Sequence, residues 1–141
     1  MAKLKIGDII EIPTSKGYFY AQYTHKHPES GYLIQVANKA FDTRPEDLSV
    51  ITELDVGIVT FLFLKEAIKE NTFSVIDNLP IPRKRLKFPV FRSRGGVSKD
   101  GVVKQWCFWD GENYWPDYWI KKLTDDQKKY PYEEYGMIKC Y

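Results

Sequence analysis

One stretch near the end of the chain, Val102–Ile120, holds all four tryptophans together with three further aromatic residues. So many aromatic and β-branched side chains are typical of a pleated, half-buried surface rather than of a helix. Asp110-Gly111 interrupts the stretch with residue types that adopt positive φ at low cost. The pattern therefore predicts a β-hairpin with strands near 102–109 and 113–120.

Neither face of this hairpin is plainly polar, so we expect both faces to be covered along much of their length. Pro116 cannot donate a ladder hydrogen bond, which predicts that the second strand is an edge strand or is bulged. The aromatic rings have two interpretations: they are core, or some of Trp115, Tyr118 and Trp119 form a partner-binding surface, because aromatics are favoured interface anchors.

Composition favours an ordinary globular protein. The 141 residues and a hydrophobic content of 43% fit a single domain over residues 1–141. A net charge of +2 points to neither a nucleic acid nor a membrane partner. No apolar segment of signal-peptide length follows the N-terminus, and the longest apolar run, Val56–Leu64, is too short to span a bilayer as a helix. We expect a cytoplasmic protein with reduced thiols.

The rest of the chain predicts a fold that is mostly β. Three closely spaced strands, ending at Pro13, covering Tyr18–Lys26 and covering Tyr32–Val36, predict an antiparallel meander. Further strands are expected at 56–64 (buried), 72–76, 88–92 and 135–141, and short helical turns at 43–48, 65–70 and 123–130. The predicted class is α+β, mostly β: a strongly bent antiparallel sheet or a small SH3-like barrel with one or two short helices.

The sequence contains residue types that can act in catalysis, but not in the motifs that a catalytic or metal site requires. His25 and His27 share one face of a strand but lack the further ligands that zinc requires. Asp110, Glu112 and Asp117 surround the hairpin turn, where turn chemistry and solvent exposure account for them. We find no nucleophile elbow and no phosphate-binding loop in the sequence. The sequence therefore predicts no enzyme, no metal and no cofactor.

Charge is segregated along the chain. Residues 83–104 carry eight basic residues against Asp100 alone, whereas residues 42–55 carry five acids against Arg44. Two interpretations remain open: ordinary solvated surface with internal pairing, or a patch that steers a charged partner. Basic residues beside an aromatic hairpin are also suited to nucleic acid, with rings stacking on bases.

Four short blocks together resemble one family. They are Lys5–Pro13, Gly17–Gln22, Trp106–Gly111 and Leu123–Pro131, the last combining a Leu-Thr-acid-acid helix start with a closing proline. This arrangement is similar to the bacterial immunity protein 26 family, which accompanies polymorphic toxin systems. The resemblance implies an α+β protein without enzymatic activity that binds a cognate toxin domain in the cytoplasm.

Three hypotheses follow. The first is a toxin-neutralising binding protein, the second a small-barrel nucleic-acid-binding protein that uses segment 83–104 and the neighbouring aromatics, and the third a hydrolase that uses the carboxylates of the turn. The oligomeric state stays open. The family motifs do not specify toxin contacts, so the expected contact residues come from the patterns above: Trp115, Tyr118, Trp119, Asp110, Glu112, Asp117, Arg83 and Arg85.

Overall fold

A computed structural model describes residues 3–94, 99, 106–120 and 122–131, with the backbone alone at 93, 94 and 116–120. The described residues divide into two compact units, unit 1 within Met1–Lys87 and unit 2 within Phe88–Glu134. The sequence-based expectation of a single domain stays a prediction.

Unit 1 is built on an open antiparallel sheet of five strands, in the order β4-β3-β2-β1-β5. The strands are β1 Asp8–Thr14, β2 Gly17–His27, β3 Gly31–Ala37, β4 Val56–Leu62 and β5 Ser74–Asn78. The first three form the predicted meander. The described strands leave β4 and β5 as edges, so this sheet does not close into a barrel.

Elements cover both faces of this sheet. Ile10, Ile12, Ala21, Tyr23, Ile34 and Val36 point to the first face, where α2 (Leu64–Lys69) packs through its apolar side. Ile9, Tyr20 and Ala37 point to the second face, where Ile51 of α1 (Ser49–Glu53) packs against them. A third short helix, α3 (Arg83–Leu86), follows the last strand of the sheet.

Unit 2 contains an antiparallel sheet of β6 Phe91–Arg94, β7 Trp106–Trp109 and β8 Tyr114–Ile120, in that order. Pairing of β7 with β8 confirms the predicted hairpin, and residues 102–105 of its first strand lie outside the described residues. Pro116 lies in β8, which is an edge strand among those described, as predicted. Trp106, Phe108 and Leu123 form a buried cluster in this unit.

The mostly-β α+β class is confirmed, with three corrections. The helical turn expected at 43–48 is wrong: α1 begins at Ser49, whose N–H donates to the Asp47 carboxylate at 3.0 Å. The strand at 56–64 is an edge rather than a buried strand, and Ile58 is 51% exposed. The described chain has three short α-helices where one or two were expected.

The capping box predicted at Thr124 is present. Thr124 N–H donates to Gln127 Oε1 at 2.9 Å, and Gln127 N–H donates to Thr124 Oγ1 at 3.2 Å. The helix that follows it is a single 3-10 turn, Gln127–Lys129. It is short because Pro131 disfavours helical backbone in the residue before it. The strand predicted at 135–141 lies outside the described residues.

Two turn glycines in unit 1 allow the cost of backbone strain to be distinguished from the cost of a steric clash. Gly17 (φ +117°) and Gly31 (φ +90°) both adopt angles that disfavour a side chain, but a Cβ at Gly17 would lie 2.7 Å from Phe41 O, whereas a Cβ at Gly31 meets nothing within 4 Å. We expect Gly31→Ala to reduce the free energy of unfolding by about 1 kcal/mol and Gly17→Ala by at least about 1 kcal/mol more. Urea unfolding checks this, and equal losses would contradict it.

Candidate functional site

The end of the aromatic hairpin, residues 110–115, is here called the hairpin tip. Its turn is held by Asp110, whose Oδ1 accepts the N–H groups of Glu112 at 3.0 Å and Asn113 at 2.8 Å. Gly111 has φ +97°, and a Cβ there would lie 2.9 Å from the Phe88 ring. The turn predicted at Asp110-Gly111 is therefore present: the carboxylate accepts hydrogen bonds across the turn, and the glycine adopts a positive φ beside an aromatic ring.

The tip displays two aromatic rings on a buried aromatic base. Tyr114 is 56% exposed and stacks on buried Trp109 with 6.0 Å between ring centroids. Trp115 is 37% exposed and packs against buried Phe108, with 6.1 Å between ring centroids. Because successive strand residues point to opposite faces, one ring is displayed on each face of β8. The core interpretation is therefore confirmed for Phe108 and Trp109, whereas a partner-binding role for the displayed rings stays a prediction.

The remaining predicted contact residues differ in position. Glu112 is exposed in the turn, and Arg83 is exposed at the first position of α3. Backbone positions for Asp117, Tyr118 and Trp119 place them in β8, and their side chains lie outside what the structure describes. Tyr114, the first residue of β8, was not among the predicted contact residues.

Arg85 was predicted as a contact residue, and this prediction is wrong. The side chain is only 1% exposed. Its Nη2 donates to the carbonyl oxygens of Ile51 and Leu54, both at 2.9 Å, and Nη1 donates to Gln22 Oε1 at 3.3 Å. Burial lowers the pKa of the guanidinium. The group is therefore an internal anchor and is not available to a partner.

Polar side chains continue from Arg85 across the second face of the sheet. Gln35 Nε2 donates to Arg85 O at 3.2 Å and to Thr24 Oγ1 at 3.0 Å, and Gln22 Nε2 donates to Leu79 O at 2.9 Å. Lys84 Nζ donates to Glu53 O at 2.8 Å and Leu54 O at 3.0 Å. Two residues of the basic segment, Lys84 and Arg85, thus donate hydrogen bonds to carbonyls at the C-terminal end of α1.

The two histidines form hydrogen bonds to backbone groups within unit 1. His25 Nε2 lies 2.7 Å from Leu86 O, which only accepts, so Nε2 carries the proton. His27 Nδ1 accepts the N–H groups of Glu29 and Ser30, both at 3.2 Å. Among the described residues, no group of three or more His, Cys, Asp or Glu side chains is arranged to hold a metal ion. The same part of the chain contains no helix with the length and apolar character needed to cross a bilayer.

A carboxylate in unit 1 is tuned by its neighbours. Glu11, whose side chain is 12% exposed, accepts hydrogen bonds from Arg44 Nε and from Tyr20 Oη, both at 2.8 Å. The Arg44 guanidinium holds the pKa of Glu11 below its usual value, and the Tyr20 hydroxyl adds to this effect. Burial, aided by the same hydrogen bond, raises the pKa of Tyr20 to about 12.

No family model, no curated protein and no solved structure matches this chain. Its resemblance to the immunity protein 26 family therefore remains an expectation from the sequence.

Replacing Arg85 tests its anchoring role. We expect Arg85→Met to lower the free energy of unfolding by about 2–4 kcal/mol, because the carbonyls of Ile51 and Leu54 lose buried donors. Arg83→Met is the matched control: it removes an exposed cation two residues away and should cost within about 0.5 kcal/mol. Urea denaturation of both variants provides the comparison. Similar losses in the two variants would show that Arg85 does not anchor the fold.

Replacing Glu11 tests the tuned carboxylate through pH. A carboxyl pKa depressed by folding stabilises the protein above the unfolded value of 4.5, and this stabilisation disappears as the pH falls through the folded value. At pH 7, Glu11→Gln should therefore lower the free energy of unfolding by on the order of 1 kcal/mol, mainly through the half-buried bond to Tyr20. The deficit should shrink towards pH 3. A deficit that is constant from pH 7 to pH 3 would refute this assignment.

Proposed function

We propose that this chain is a bacterial immunity protein, which binds a cognate toxin domain in the cytoplasm of the producing cell and neutralises it without catalysing a reaction. The observation that supports this proposal best is the hairpin tip, where Tyr114 and Trp115 are displayed on buried rings. The family resemblance of the sequence supplies the biological setting.

The tip has the physical properties of an interface anchor. Tyr114 and Trp115 leave a large apolar area to bury, and their contacts with Trp109 and Phe108 restrict their motion before a partner arrives. Ordering such rings on binding costs little entropy, which is why aromatic side chains dominate interface hot spots. Exposed Glu112 beside them favours a basic surface on the partner over an acidic one.

Nucleic-acid binding is the second candidate. It is favoured by Arg92, whose guanidinium lies 5.1 Å from the Trp106 ring centroid, a pairing of cation and aromatic that also occurs on nucleic-acid platforms. However, Trp106 is buried, Arg85 donates to buried carbonyls, and Lys84 donates to backbone carbonyls at the end of α1. Part of the expected phosphate-binding charge is therefore already used within the fold, and toxin binding is the better-supported function.

The role of the hairpin tip in toxin binding can be tested by replacing its aromatic residues, with an exposed aromatic residue outside the tip as the control. We expect the wild-type chain to copurify with the product of the adjacent toxin gene and to restore growth of cells that express this toxin. The double variant Tyr114→Ala/Trp115→Ala should weaken the complex at least about 30-fold, as expected for loss of hot-spot rings worth 2 kcal/mol or more. Phe63→Ala, which removes a ring that is 64% exposed outside the tip, should bind as the wild type does.

Two results would contradict the proposal. One is an adjacent gene product that harms no cell when expressed without this chain. The other is a tip variant with an unchanged urea midpoint and undiminished toxin affinity. Fluorescence anisotropy with single- and double-stranded oligonucleotides separates the second candidate, since phosphate binding should weaken steeply as salt rises. Absence of binding at low salt eliminates that candidate.

A further inference from the structure

A cleft of about 480 Å³ opens on unit 1 beside α2. Three apolar and four charged side chains line it, and these two groups are named its floor and its rim respectively. The floor consists of Leu4, Ile68 and Val75, and the rim of Lys3, Lys65, Lys69 and Glu66. None of these residues belongs to the hairpin tip.

Two of the three floor residues pack against the hydrophobic core. Leu4 and Ile68 pack on the buried cluster that includes Leu64 and Phe73, and Val75 is exposed on edge strand β5. A surface supported by a packed core has a fixed shape, so a ligand that covers it gains apolar contact without first ordering the protein.

The rim carries an excess of positive charge. Three lysines and one glutamate give a net charge of 3 − 1 = +2. Within the described part of the chain, no carboxylate pairs with any of these three ammonium groups. Lys65 Nζ instead lies 6.0 Å from the Tyr32 ring centroid. An anion at this rim would meet cations that do not have to break an existing ion pair.

We propose that this cleft binds a small anionic amphiphile, a molecule with one carboxylate and an apolar body of hydrocarbon size. Its apolar body covers Leu4, Ile68 and Val75, while its carboxylate lies among the lysines. The volume falls in the range of small-molecule sites, which combine an apolar lining with a few polar groups. An acidic protein strand fits less well, because the lining converges from α2 and the N-terminal segment and includes one residue of β5.

Titration with decanoate, followed by methyl NMR of the full-length protein, tests the site. We expect saturable shifts at the methyl groups of Leu4, Ile68 and Val75, with no shift at Ile51, which is buried in the other cluster. Raising the salt concentration should weaken binding, since the rim charges are exposed. Nonyltrimethylammonium, which has the same alkyl chain and the opposite charge, should bind more weakly than decanoate.

Substitutions of the charged rim residues test whether they contribute to decanoate binding. Lys65→Gln and Lys69→Gln should each weaken decanoate binding about threefold, the effect of one exposed ion pair. Glu66→Gln should strengthen binding by a similar factor, because it removes the one repelling charge. Lys16→Gln, which changes an exposed lysine outside the cleft, should leave the affinity unchanged.

Several results would overturn the proposal: no saturation below the concentration at which decanoate aggregates, equal affinity for the cationic probe, or equal effects of Lys65→Gln and Lys16→Gln. A fourth is that an acidic peptide shifts the amides of Ser74–Asn78 while decanoate shifts nothing, which would assign the surface to a protein strand. The hairpin-tip variant should bind decanoate normally, so failure of this proposal is distinguishable from failure of the toxin-binding proposal.

Discussion

The structure of unit 1 depends on a buried cation that has no carboxylate partner among the described residues. Removing a guanidinium from water is costly unless its donors are satisfied. Arg85 meets this requirement at Nη1 and Nη2, which donate to Gln22 and to the carbonyls of Ile51 and Leu54, whereas its buried Nε has no acceptor among the described residues. These carbonyls lie at the C-terminal end of α1, where the helix leaves acceptors unpaired and a partial negative charge. One side chain thereby joins a helix, a strand and the segment that carries α3.

This anchor explains why the two faces of the five-stranded sheet differ. The first face is covered by α2 through apolar packing, whereas the second is joined to residues 79–87 largely through hydrogen bonds from Gln22, Gln35 and Arg85. Each unit also exposes apolar surface: the rings of the hairpin tip in unit 2 and the floor of the lysine-rimmed cleft in unit 1. Contiguous exposed apolar surface often marks a binding site, and for this reason we propose a binding role for both.

Local patterns predicted the structure well where the interaction is local. The Asp110-Gly111 turn and the Thr124–Gln127 capping box each join residues no more than three apart, so the residue types alone specify them. The apolar run from Val56 was misinterpreted, because periodicity does not show whether a strand has neighbours on both sides. Arg85 was misinterpreted because a run of basic residues is usually solvated, and its acceptors lie 31 to 63 residues away in the chain.

The sequence by itself determined the strand-rich class, the aromatic hairpin and its turn, because alternation, β-branched content and Asp-Gly chemistry act over a few residues. Only the tertiary structure decided which rings are buried and which are displayed, since Trp109 and Tyr114 differ in their neighbours and not in their local pattern. The same holds for the cations of residues 83–87. Whether such a group faces water or carbonyl oxygens depends on chain segments that are remote in sequence and adjacent in the fold.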